Sequence, residues 1–278
     1  MPTTYTHDRF GKDVLRHLPE EYRMKTEAEC NLYWIGLQGP DIFFYYNPVF
    51  GGKLNRLGTR IHQQPGRCFF ERASKVLSEN EDPLHRAYVY GSICHFTLDA
   101  ICHNFIFRHE MESGLPHAEI EGQFDRCLLV MDGKNPISEN LAADVHPTRK
   151  YAEVIAAFYP GVTVSGIYRT LKQFVKVNRL LICRTAFKRN LLYGAMKAAG
   201  VYKKFQGHVI SREPNPRAEL ANDRLMELYG IAIPKAAQLI AEFDDNAAGK
   251  RSWDSLYDLT YESVRTLPED SNSEDDEE

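Results

Sequence analysis

Apolar residues recur at i, i+3, i+4 and i+7 through most of this chain, and no run alternates apolar and polar as a half-buried strand would. The spacing predicts helices near 8–18, 23–35, 66–79, 83–108 and 117–131, then 149–159, 163–177, 179–200, 217–228, 233–245 and 253–265. Asp82-Pro83 places a first-turn proline at the head of the long fourth helix, Glu112-Ser-Gly-Leu-Pro116 breaks it, and Pro116 helps open the next. Asp-Gly, Asn-Pro and His-Pro pairs make 132–148 a loop. Residues 38–66 read as a long irregular connection, rich in aromatics and interrupted by Gly51-Gly52, Gly58 and Pro65-Gly66. Long structured loops in compact domains usually carry function. The expected fold is all-α: a single multi-helix domain over 1–266, followed by a disordered acidic tail over 267–278.

Composition adds bounds to that picture. With 278 residues, 43% hydrophobic and 26% charged, the chain is ordinary globular protein. No apolar run reaches the length of a membrane span, so stable membrane insertion is not expected. The start, Met1 to Phe10, lacks a basic region followed by an apolar core, and the expected compartment is the cytoplasm. The six cysteines form no Cys-x-x-Cys pair and are expected as free thiols. The net charge of −4 conceals a segregation: seven acids and no base lie in 267–278, and between Glu153 and Glu213 there are eleven Lys or Arg and no acid. That basic stretch is either the solvated side of amphipathic helices or a face for anions such as phosphate headgroups or nucleic acid.

The chemistry concentrates in 93–121. Helical spacing puts His95 beside Asp99, Asp99 beside His103, and His117 beside Glu121. A lone histidine on an apolar helix is ordinarily a hydrogen-bonded core residue, and a single His-x-x-x-Asp is ordinarily a surface pair. Here the setting is Phe-Thr-Leu-Asp-Ala-Ile-Cys-His-Asn-Phe-Ile-Phe, where an unpartnered carboxylate would cost several kcal/mol. A zinc ion would remove that penalty. Cys102, seven residues after His95, rivals His103 for the third place, and spacing alone does not separate them. Asp41, flanked by Gly-Pro and an Ile-Phe-Phe-Tyr-Tyr run, and His62 and His7 are weaker candidates taken singly. His17, His85, His109, His146 and His208 lack comparable partners and read as surface or structural.

In combination, these motifs resemble the zinc-dependent phospholipase C family. The resemblance rests on Pro2 to His7, on Gly36-Leu-Gln-Gly-Pro-Asp-Ile-Phe-Phe44, on Ile93-Cys-His-Phe-Thr-Leu-Asp99 and on Pro116-His-Ala-Glu-Ile-Glu121. It covers residues 2–136 well and the remainder loosely. It implies an all-helical fold with two or three zinc ions, held by His7, Asp41, His62, His95, Asp99, His103, His117 and Glu121. Asp99 is implied as a bridge between two metals, and Asp41 as both a ligand and a proposed general base. His103 rather than Cys102 takes the third place on this resemblance. Secreted members also use an amino-terminal tryptophan as a ligand, whereas this chain starts Met-Pro, so a third zinc beside His7 would be held differently. His103 is followed by Asn104 where the family has proline.

The expected activity is hydrolysis of a phosphodiester or phosphomonoester, with a phospholipid headgroup among the candidate substrates and Phe43, Phe44, Tyr45 and Tyr46 either lining the pocket or simply packing. Two rivals stand beside it: a zinc-dependent nuclease, which the basic stretch would serve, and a non-catalytic zinc-binding interaction protein. A di-iron bundle would want more glutamates and Glu-x-x-His pairs. A His-Asp phosphohydrolase would want its His-Asp doublet inside a helix with a histidine upstream, and His7-Asp8 has none.

Overall fold

A computed structural model describes residues 4–80 and 82–263; the tail 267–278 lies outside the described residues. The helices are α1 (Thr4–His17), α2 (Glu27–Gly36), α3 (Lys53–His62), α4 (Gly66–Glu79), α5 (Pro83–Ser113), α6 (His117–Met131), α7 (Arg149–Ala156), α8 (Val164–Leu181), α9 (Ala186–Ala198), α10 (Tyr202–Phe205) and α11 (Glu219–Ala247). Short 3-10 turns connect them at Glu20–Tyr22, Gly39–Tyr45, Gln206–His208, Pro216–Ala218 and Ser255–Asp258. The described residues contain no strand, only an isolated bridge between Pro65 and Thr260. The fold is all-α.

The middle of α5 is apolar on every side because it is covered on every side. Helices α1, α2, α4, α6 and α11 pack around it, and Tyr88, Val89, Ile93, Cys94, His95 and Phe96 are all inaccessible to solvent. The closest approach is to α2. A Cβ on Gly91 would lie 2.2 Å from the Tyr33 carbonyl oxygen, and one on Gly36 2.4 Å from that of Tyr88, so the two backbones meet only because both positions lack a side chain.

The start of α1 is held from outside its own sequence. Asp125 of α6 accepts from the Thr6 backbone N–H at 2.7 Å and from its hydroxyl at 2.6 Å, satisfying amide groups that a helix leaves free at its N-terminus. Helix α2 opens with a capping box: Thr26 accepts from the Glu29 N–H, while the Glu29 carboxylate accepts from the Lys25 N–H and the Thr26 hydroxyl. Asp82 caps α5 through the Leu84 N–H, and Gly114 ends it with φ 67°.

Four expected elements differ. The connection 38–66 is largely helical: the Gly39–Tyr45 turn and α3 fall within it, and their brevity hides their periodicity. The expected helix 179–200 is two, because Thr185 accepts from the Lys188 N–H and starts α9 afresh. The reverse holds at 217–245, where α11 runs unbroken through Pro234 because Ala232, Ala236, Leu239, Ile240 and Phe243 are buried. Of the expected helix 253–265, residues 264–265 lie outside the described residues, and 253–263 do not form an α-helix. The Ser255–Asp258 turn leads into an extended return that is tied by Gly66 N–H to the Leu259 carbonyl and by the Ser263 hydroxyl to the Ala100 carbonyl.

Candidate metal centre

All eight side chains singled out in the sequence meet at one face of α5. His7 comes from α1, Asp41 from the Gly39–Tyr45 turn, and His62 from the last residue of α3. His95, Asp99 and His103 come from successive turns of α5, and His117 and Glu121 from the first turns of α6. Seven are buried, and His117 is half-buried at the rim. They form three groups, each with ligand atoms within 4.8 Å of one another: His7, His95 and Asp99; Asp41, His62 and His95; His103, His117 and Glu121. Cys102 belongs to none of these groups, although its buried side chain lines a small cavity beside His7, Asp99 and Glu121. Cys94 turns away, with its Sγ 3.3 Å from the Tyr33 hydroxyl.

Asp99 is central. Its Oδ1 lies 3.3 Å from His7 Nε2 and 3.8 Å from His103 Nδ1, and its Oδ2 lies 3.2 Å from His95 Nε2. Asp41 Oδ1 stands 2.8 Å from His62 Nε2, and its Oδ2 3.9 Å from His95 Nε2. Glu121 Oε1 lies between His117 Nε2 at 3.1 Å and His103 Nε2 at 3.4 Å.

The imidazoles are aimed by backbone carbonyls. His62 Nδ1 pairs with the Gly58 carbonyl at 2.7 Å, His95 Nδ1 with that of Leu37 at 3.1 Å, and His103 Nδ1 with that of Tyr261 at 2.7 Å. Each carbonyl requires a proton on Nδ1, which leaves Nε2 as the lone-pair nitrogen facing the cluster in the neutral ring. His117 has a carboxylate in this role: Glu110 Oε2 is 3.7 Å from its Nδ1, and Glu110 Oε1 accepts from its backbone N–H. The Gly39 backbone packs directly on the His95 ring. Its φ is +47°, and a Cβ there would lie 2.3 Å from His95 Cδ2.

Electrostatics bind the cluster together. Burial alone would raise the Asp99 carboxyl, but His95, His103 and His7 hold it well below the usual carboxylate range. Burial would lower His103, yet Asp99 and Glu121 push it up to about 9. Burial and the neighbouring His95 lower His7. Several buried atoms make no hydrogen bond: His7 Nδ1, both Asp41 oxygens, His62 Nε2, His95 Nε2, Asp99 Oδ2 and Glu121 Oε2. Leaving one such group unsatisfied costs about 1–3 kcal/mol, and more when it is charged. Imidazole nitrogens and carboxylate oxygens that converge on one another, paired by charge but without hydrogen bonds, are the donor set of zinc, and the residues fit it.

A cavity of about 400 Å³ opens over two of the groups, lined by His62, His103 and His117 together with Phe44, Phe107, Lys203 and His208. Besides the Gly58 and Leu37 carbonyls, sequence reasoning missed four contributors: the Tyr261 carbonyl, Glu110, Lys203 and His208. Glu110 lay within helical reach of the stripe, but nothing local marks the other three, which are brought in by long-range packing.

A family model described as zinc dependent phospholipase C matches residues 6–180. No curated protein and no solved structure matches the chain significantly. The matched span contains all eight side chains of the cluster and ends before α9.

Proposed function

The chain belongs to the zinc-dependent phospholipase C family, and from that premise we propose that it hydrolyses a phosphodiester or phosphomonoester at a centre of two or three zinc ions. The observation that carries this reading is the set of buried, hydrogen-bond-free nitrogen and oxygen atoms, whose imidazoles are fixed from behind by carbonyls. Asp41, His62 and His95 would hold one ion, and His103, His117 and Glu121 a second. His7 and Asp99 would hold a third, with Asp99 shared between neighbours. Bound zinc supplies Lewis acidity there, lowering the pKa of water and neutralising charge on phosphoryl oxygens.

The chain's own residues supply the rest. The carbonyls of Gly58, Leu37 and Tyr261 hold three imidazoles in one tautomer, so the donor geometry is set before any ligand arrives. Asp41 is the proposed general base: it sits in the short Gly39–Tyr45 turn beside His62, which lines the cavity, and its two oxygens lie toward different histidines, His62 and His95. Phe44 and Phe107 give the cavity apolar walls that exclude water from a bound ester, and Lys203 offers a positive charge to its phosphate. A volume of about 400 Å³ suits a phosphorylated headgroup rather than a whole lipid.

Zinc-loaded protein should be assayed against p-nitrophenyl phosphate, its bis-ester, micellar phosphatidylcholine and single-stranded DNA. Turnover of a small phosphoester or the lipid is expected, with Asp41→Asn lowering kcat by about 10²–10⁴. Cleavage of DNA alone would favour the nuclease. No turnover at full zinc occupancy would leave a non-catalytic zinc protein.

A further inference from the structure

The part of the chain beyond the family match includes a small satellite with its own core, Cys183, Met196, Phe205 and Val209. It is tied to α6: Gln123 donates to the Ser211 hydroxyl, and the Asn215 side chain donates to Glu119 at 2.7 Å. One of its helices, α9, is amphipathic in an unusual sense. Its inner side carries Met196, which is buried, with Leu192 and Tyr193 half-buried. Its outer side carries Phe187, 79% exposed, and Leu191, 64% exposed, one turn apart. Gly194, Ala195 and Ala198 continue that side without a charge, and Leu180, 53% exposed, stands at the end of α8 just before it.

The charged residues near this stripe in sequence are all positive, and Arg179, Arg184 and Lys197 among them are exposed. Arg184, Lys188, Arg189 and Lys197 belong to a stretch with eleven bases and no acid between Glu153 and Glu213, in a chain whose total charge is −4. Among the described residues, no base of this stretch forms an ion pair. Lys188 and Arg189 donate instead to the carbonyls of Ile182 and Ile210, and Lys197 lies over the Tyr202 ring. Another exposed apolar residue, Phe50 at 93%, lies on the turn before α3. That turn is tied to α8, where Gln173 accepts from the Asn47 N–H and Arg169 lies over the Tyr46 ring.

Exposed large apolar side chains on one helix face favour a partner that removes them from water. A second copy of this chain is a poor partner, because the like charges of two basic stretches would meet. Nucleic acid would answer the charge but not Leu180, Leu191 and the alanines, which offer no stacking face. An anionic bilayer surface answers both, since its acyl boundary takes the apolar stripe and its headgroups pair with the exposed Arg179, Arg184 and Lys197. The same satellite also places Lys203 and His208 in the wall of the cavity beside His103 and His117. We infer that α9 is an interfacial helix that seats the protein on an anionic lipid surface, with the zinc cavity close to the headgroups. The inference gains its purpose from the phosphoester reading, but its binding test is independent of catalysis.

The full-length, zinc-loaded protein is sedimented with vesicles of phosphatidylcholine alone and of phosphatidylcholine with about 30 mol% phosphatidylglycerol. Binding to the anionic vesicles is expected, weakening as salt rises from about 0.05 to 0.5 M. F187S/L191S should lower the partition coefficient at least ~10-fold while leaving the thermal midpoint and turnover of a soluble chromogenic phosphoester unchanged. Equal partition to both vesicles, full binding by F187S/L191S, or a solution dimer that this variant dissociates would overturn it. Vesicle binding without turnover of any phosphoester would instead count against the catalytic reading and leave this one standing.

Discussion

His103 shows how a single residue ties the cluster's chemistry to its stability. Burial would lower its pKa, but Asp99 and Glu121 raise it to about 9, so without metal the ring is charged at neutral pH. A group whose folded value is raised stabilises the fold fully below its unfolded value of roughly 6.5, and that stability is lost as pH rises through the folded value. The thermal midpoint of metal-free protein should therefore fall between about pH 6.5 and 9, and His103→Gln should reduce that fall, with His95, also raised, supplying a remainder. Zinc must displace the same proton, so titrating zinc into metal-free protein at pH 7 should release protons. Calorimetry in two buffers of different ionisation enthalpy measures this, and identical heats would contradict it. Gly39 is the second informative residue. A Cβ there meets the His95 ring at 2.3 Å on a backbone with φ +47°, so Gly39→Ala should destabilise the metal-free protein by roughly 1–3 kcal/mol in urea unfolding and weaken zinc binding as well.

Among the elements, the 255–263 return has the least obvious role and one of the larger expected effects. Its Tyr261 carbonyl orients His103, its Ser263 hydroxyl bonds the Asp99 and Ala100 carbonyls, and the rings of Tyr257 and Tyr261 are fully buried. Ending the chain after Asp254 should weaken zinc binding about 10–100-fold in a competition titration, as loss of partners behind metal ligands does elsewhere. An unchanged affinity would show that the return only packs. This element was not legible in the sequence, because its role depends on where its chain direction meets α5 and no periodicity encodes that. The stripe His95, Asp99, His103 was legible because helical spacing alone aligns it. His117 and Glu121 were legible as a pair, with Pro116 marking the start of α6. His7, Asp41 and His62 were weak candidates taken singly and joined the stripe only on the resemblance, since α1, the short turn and α3 bring them over distances that no local pattern reports. The split at Thr185 and the unbroken α11 were misread for opposite reasons: a cap can stop an apolar pattern, and tertiary burial can carry a helix past a proline.

At the scale of the whole molecule, the eight side chains join α1, the Gly39–Tyr45 turn, α3, α5 and α6, so zinc would cross-link most of the matched region. Ions that bind the folded chain and not the unfolded one add stability by mass action, about 4 kcal/mol per site at a thousandfold excess over Kd. Chelation should accordingly lower the thermal midpoint sharply, with recovery on adding zinc back, and a midpoint indifferent to chelator would show that the cluster stands without metal. The charge layout assigns a different task to the satellite that adjoins the cavity: the exposed face of α9 lies outside the family match, and the basic stretch runs from inside the match to beyond its end. The most direct test of the account is the zinc content of the purified chain and of Asp99→Asn, measured by elemental analysis against protein concentration. The account predicts at least two zinc ions per chain and a loss of one or more in Asp99→Asn. One ion or none in the parent chain, with Asp99→Asn unchanged, would contradict it.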